Sequence, residues 1–144
     1  MRPDHETAET FELLRPVWES IISDFVSRDR KERFLFLAGS RKRQITLCRE
    51  LLHVASDFEP ESILPLPRSC TLQTVAASLR QHGAAEPCWT MSIMPHVHGR
   101  QLSADDALKE VFNTSKESLL YFPSAHVAYY EGAHDERAVL VRKK

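Results

Sequence analysis

The chain has 144 residues, 42% hydrophobic and 27% charged, with a net charge of -1. These are ordinary values for a soluble globular protein of one domain, which at this length buries about 70% of the surface its unfolded chain would expose. They exclude a membrane span, because no apolar run approaches the ~18–20 residues that crossing a bilayer requires.

The charge is unevenly spread. Residues 1–27 carry two basic side chains against six acidic ones, and residues 50–144 carry nine against twelve. Residues 28–49 carry eight basic side chains (Arg28, Arg30, Lys31, Arg33, Arg41, Lys42, Arg43, Arg49) against Asp29 and Glu32. A near-neutral protein with one basic segment holds a local positive field that attracts anionic partners. The opening Met-Arg-Pro-Asp-His-Glu is polar and does not read as a signal peptide. Cys48, Cys70 and Cys88 are odd in number and lack CxxC spacing, so we expect reduced thiols in a cytoplasmic protein of bacterial type.

In chain order, Phe11, Leu14, Val17, Trp18, Ile21, Ile22 and Phe25 fall at helical spacing and predict one apolar stripe. Pro16 interrupts it, so either the main helix starts there or a longer helix bends there. Residues 33–38 (RFLFLA) predict a short helix closed by Gly39, with Ser40 as the next N-cap. The following helix buries Ile45, Cys48, Leu51, Leu52 and Ala55 and shows Arg41, Lys42, Arg43 and Arg49 on its outer side. Residues 57–68 hold Pro60, Pro65 and Pro67 and read as a connection with one short edge strand at 63–66. It divides a helical part, 1–56, from a mixed part, 69–144, around one continuous core.

In the second part, Ser69, Cys70 and Thr71 cap a helix over 72–82 that buries Leu72, Val75, Ala76 and Leu79 and stops at Gly83. A strand over 88–94 ends at Pro95, and a loop containing Gly99 leads to Ser103. That serine caps a helix whose Asp105 and Asp106 favour the positive end of the helix dipole. Segments 118–122, 125–131 and 137–142 predict strands, the last two joined as a hairpin by a five-residue loop. The fold class is α+β: N-terminal helices over about 10–55 packed with a mixed sheet of four or five strands ending in a C-terminal hairpin.

Three site candidates emerge. The basic segment 28–49, with Arg41, Lys42, Arg43 and Arg49 foremost, could neutralise phosphates or an acidic protein surface. No helix-turn-helix, zinc-finger or RNA-binding pattern accompanies it. His96 and His98 form an H-x-H after a strand; in extended chain both rings point one way and reach one metal ion. A further ligand would have to come from His126, His134, Asp135 or Cys88. Cys70, at a helix start near Arg68, sits where a thiolate is favoured, but a nucleophile also needs a base within reach. Cys48 reads as core. Gly-rich phosphate loops, nucleophile elbows and HExxH are absent, so no cofactor is expected.

The expectation from sequence is therefore a non-enzymatic binding or adaptor module. A protein partner is ranked above nucleic acid, because the remaining surface is net acidic, and a membrane is not expected. A metal-dependent enzyme built on His96 and His98 is the rival reading.

Overall fold

The computed structural model describes residues 8–143, with side chains from Phe11 onward. The polar opening segment weighed against a signal peptide lies outside these residues. Helix α1 (Ala8–Phe25) is one helix with Pro16 inside it. Glu12 and Pro16 are both exposed, so water reaches the turn where the proline ring costs a helical hydrogen bond. The apolar stripe of α1 is buried from Leu14 to Phe25. A 3-10 turn leads to α2 (Lys31–Leu37), and Ser40 caps α3 (Arg41–His53), its hydroxyl accepting from the Arg43 N–H at 3.2 Å.

The buried stripe of α3 is Gln44, Leu47, Cys48, Leu51 and Leu52, and Ile45 is 46% exposed. Ile45 shares helical spacing with Cys48 and Leu52, but the stripe is centred on Leu47 and Leu51. Ile45 therefore falls at its rim and faces out. Gln44 is buried because its amide donates to the Ala38 carbonyl at 3.0 Å, tying the α2–α3 corner.

Six strands form the sheet: β1 (Ile63–Pro65), β2 (Cys88–Ser92), β3 (Arg100–Leu102), β4 (Ser118–Phe122), β5 (Val127–Glu131) and β6 (Arg137–Val141). Their order is β1-β6-β5-β4-β2-β3, and every neighbouring pair is antiparallel. The class is α+β as expected, but the sheet has two differences from the reading above: it has six strands, and its adjacent strands are not mixed. The three-residue strand β3 lies in what reads as loop, and β1 is the edge strand expected in the proline-rich connection.

The direction of the strands has a topological cause. Helix α4 (Leu72–Gln81) joins β1 to β2, and helix α5 (Ala104–Val111) joins β3 to β4. Following the antiparallel pairs along the sheet, each of these helices does connect two strands that run the same way. Those strands are never neighbours: β2 lies between β3 and β4, while β6, β5 and β4 lie between β1 and β2.

Both faces of the sheet are covered. Helices α1 to α3 and the sheet residues Met91, Leu119, Tyr121, Ala128, Tyr130, Ala138 and Leu140 make one core. Helices α4 and α5 make the other with Leu120, Phe122, Val127, Tyr129 and Val139. Strands β4 and β5 are therefore buried at every residue and read as near-continuous apolar runs. Two glycines have positional reasons. Gly83 stops α4 at φ +87°, and a Cβ on Gly132 would run into the Tyr130 hydroxyl. That hydroxyl donates to the Leu52 carbonyl at 3.0 Å, pinning the sheet to the end of α3.

Candidate functional site

The basic segment folds into the α2–α3 hairpin and the turn before it. Part of its charge is answered locally. Arg30 pairs with Asp57 at 2.9 Å, Arg33 forks onto both oxygens of Glu50 at 2.6 and 2.8 Å, and Lys31 donates to the Ser23 carbonyl at 2.9 Å. Arg28, Arg41, Lys42 and Arg49 are exposed and have no carboxylate at ion-pair distance among the described residues. Arg43 is held differently: its guanidinium lies 4.2 Å over the Phe36 ring and its Nε–H donates to the Phe36 carbonyl at 3.4 Å.

Apolar side chains stand among these cations. Phe36 is 60% exposed, Leu35 40% and Ile45 46%. Helical spacing puts Lys42 and Arg49 on one ridge of α3 and Arg41 with Ile45 on the next, while Arg43 leans toward α2. The outer surface of the hairpin thus carries Phe36 under Arg43 at one edge of α3 and Arg41 with Ile45 at the other, with Lys42 and Arg49 between them.

The histidine pair lies in a turn. The amides of Val97 and His98 both donate to the Met94 carbonyl at 3.0 Å, so the chain there lacks the extended alternation that would aim both rings one way. His96 is exposed. His98 lies inward beside Trp18, with ring centres 6.3 Å apart, and its Nδ1 accepts from the Ser92 N–H at 3.1 Å. Burial pushes its pKa down to about 4, so the ring is neutral near pH 7.

Thr71, not Cys70, caps α4, its hydroxyl accepting from the Thr74 N–H at 3.1 Å. Cys70 stands one residue outside, half-buried against the second core, and the neighbouring Arg68 guanidinium turns to the His134 carbonyl at 3.4 Å. Cys48 lies in the first core as expected, and Cys88 is buried in the second. Burial, with Glu86 nearby, pushes the Cys88 thiol up to about 12, the opposite of a reactive thiolate.

Three polar clusters unite residues that are far apart in sequence. Asp24, its side chain 6% exposed, accepts from the Tyr121 hydroxyl at 2.5 Å and from the His126 Nδ1–H at 2.8 Å, with Arg142 at 3.8 Å. This cluster ties α1 to the β4–β5 turn. Glu131, fully buried, accepts from the backbone N–H groups of Asn113, Thr114 and Ser115 and from the Tyr129 hydroxyl; it faces Arg137 at 3.7 Å. Arg137 in turn donates to the Asn113 side chain and the Arg68 carbonyl.

The third cluster lies at the C-terminal end of α3. The His53 Nδ1–H donates to Glu117 at 3.0 Å, and the His134 ring stands 6.5 Å away, centre to centre. His134 and Asp135 both have left-handed backbones on the β5–β6 hairpin. An open groove of about 430 Å³ beside them is lined by Val54, Arg68, His134, Asp135 and Glu136 among others. Among the described residues no three His, Cys, Asp or Glu side chains form a ready ligand set for a metal ion. No helix of the described residues is long and apolar enough to cross a membrane. No protein-family model, curated protein or solved structure matches the chain.

Proposed function

We propose that the protein is a non-enzymatic binding module whose outer α2–α3 surface takes an acidic protein segment. The observation that carries this reading is Phe36, 60% exposed and stacked under Arg43 in the middle of the basic segment. Burying an aromatic ring beside an arginine is a common source of interface energy, and charge complementarity supplies rate and orientation. The stack and the Phe36 carbonyl hold the Arg43 guanidinium in place, so less side-chain entropy is lost when a carboxylate arrives. Leu35, also exposed on α2, adds apolar area. A long nucleic acid would also meet the acidic remainder of the surface, which favours the protein segment.

The test uses poly-glutamate as the acidic probe and random duplex DNA as the competitor. We expect salt-sensitive binding of poly-glutamate that is lost in Arg41→Glu, Lys42→Glu and weakened at least tenfold in Phe36→Ala. DNA that binds at physiological salt and displaces poly-glutamate would transfer the surface to nucleic acid. Its logarithmic salt slope would then be about -0.9 per phosphate neutralised. Equal binding by wild type and the double variant would remove the α2–α3 surface from the reading.

A further inference from the structure

We propose that His53 and His134 together hold one divalent transition-metal ion of the zinc, nickel or copper type, with water completing its coordination and Glu117 orienting His53 from behind. The inference is independent of the α2–α3 surface reading.

The chemistry starts with His53. Glu117 can only accept, so Nδ1 of His53 carries the proton and Nε2 presents its lone pair outward. A carboxylate behind an imidazole is the usual support of a metal-bound histidine: it fixes the tautomer and raises the basicity of the ligating nitrogen. The Glu117 side chain is 17% exposed and that of His53 57%, so the support is packed and the ligand is accessible.

His134 supplies the second nitrogen from the opposite side of the corner. A metal 2.0–2.1 Å from one nitrogen of each ring places the ring centres about 5–6.4 Å apart. The observed 6.5 Å lies just beyond that range, with the rings at 67° to each other. A shift of roughly an ångström by two exposed side chains closes it. The two residues come from elements 81 positions apart, and the left-handed backbone at His134 brings its ring to this place. With only two protein nitrogens in the inner shell and Glu117 in the outer one, the corner is not a three-ligand cluster.

The surrounding field favours a cation. His53 is the last residue of α3, where the helix dipole is negative. Glu117 and Glu136 both act on the nearby Tyr130 hydroxyl, which places the two carboxylates at the same corner. Asp135 adds a third acidic group on the hairpin; of the two cations lining the groove, Arg68 reaches the His134 carbonyl and Arg137 is held by Glu131.

Isothermal titration of the purified, metal-stripped protein with zinc and separately with nickel tests the site. We expect one ion per chain. His53→Ala and His134→Asn should each abolish binding; asparagine tolerates the left-handed backbone, so the hairpin survives the change. Glu117→Gln should weaken binding 10- to 100-fold without changing the stoichiometry. His96→Ala should leave it unchanged, which separates this corner from the H-x-H turn. No stoichiometric binding by the wild type, or binding that persists in folded His134→Asn, would overturn the proposal. Circular dichroism of each variant distinguishes a lost site from a lost fold.

Discussion

Glu131→Gln is the substitution that most directly probes how the β5–β6 hairpin is tied to the turn after α5. The carboxylate is fully buried on β5, and Arg137, directly opposite on β6, is 5% exposed. Three backbone N–H groups and the Tyr129 hydroxyl point at its two oxygens. Asn113 and Ser115, two of those donors, hold left-handed backbones at φ 62°, which their short polar side chains tolerate but do not require. Glutamine keeps the shape but replaces one acceptor with an NH2 group that meets donors. It also leaves the Arg137 guanidinium buried without its countercharge. Removing one member of a buried ion pair costs about 3–5 kcal/mol, and the mismatched donors belong to the same loss rather than adding to it. That is a large share of the ~5–15 kcal/mol that holds a typical domain folded. At this chain length it lowers the melting temperature by about 10 °C or more. Urea unfolding followed by circular dichroism measures the loss. Pairing the change with Arg137→Met should recover part of it, because the second substitution removes the uncompensated charge. A Glu131→Gln protein within about 1 kcal/mol of wild type would refute the network as a stabilising unit.

The remaining predictions follow from burial and titration. His98 has its pKa lowered to about 4 in the folded state from an ordinary 6.5, so the unfolded chain binds its proton first as pH falls. Its contribution, up to about 3 kcal/mol, is present above pH 6.5 and lost between 6.5 and 4; His98→Asn should flatten that part of a stability-versus-pH curve. At the alkaline end, Cys88 is raised to about 12 from 9.0 and Tyr121, Tyr129 and Tyr130 are raised as well, all chiefly by burial. Stability should therefore fall as pH rises above 9, and Cys88→Ala should remove the earliest part of the decline. Native thiol labelling should modify Cys70 quickly and Cys48 and Cys88 slowly, with three thiols counted after denaturation; a count of one would mean a disulfide. Ile22→Ala, at a fully buried site, should cost about 2–5 kcal/mol by chemical denaturation, and an unchanged midpoint would mean the α1 stripe is not core.

Local signals in the sequence carried the helices. The α1 stripe, the Ser40 and Ser103 caps, the Gly83 stop and the edge strand at Ile63–Pro65 each depend on residues within a few positions of one another. Ile45 and β3 show where such signals stop. Helical spacing tells which residues share a stripe, but the partner helix decides where the stripe is centred. A three-residue strand such as β3 has too few positions to alternate. The antiparallel sheet was hidden because a strand–helix–strand pattern reports that two strands run the same way, not that they touch.

The polar clusters were illegible for a related reason. Asp24 meets His126 across 102 positions and His53 meets Glu117 across 64, so no spacing announces them. Glu131 is the exception. Alternation along β5 puts it on the same face as Val127 and Tyr129, which are both buried. A carboxylate at a core-facing register position needs a buried partner, and the hairpin loop places Arg137 across from it. The pair could have been named from the strand pattern and the loop length together.

The same accounting distinguishes the basic surface from the other charged groups. Arg137 is enclosed by Glu131, Asn113 and the Arg68 carbonyl, and Arg33 and Arg30 are matched by Glu50 and Asp57. These cations serve the fold. Arg41, Lys42 and Arg49 are bonded to no carboxylate among the described residues and lie on the exposed side of a capped helix. Like charges gathered there repel each other and add nothing to folding. Phe36 is in the same position: it is 60% exposed, so most of its apolar area adds nothing to the core. A scattered exposed leucine needs no explanation. An aromatic ring left exposed beneath an arginine, on a hairpin whose Arg41, Lys42 and Arg49 have no carboxylate partner among the described residues, is apolar area and charge that the fold itself does not use.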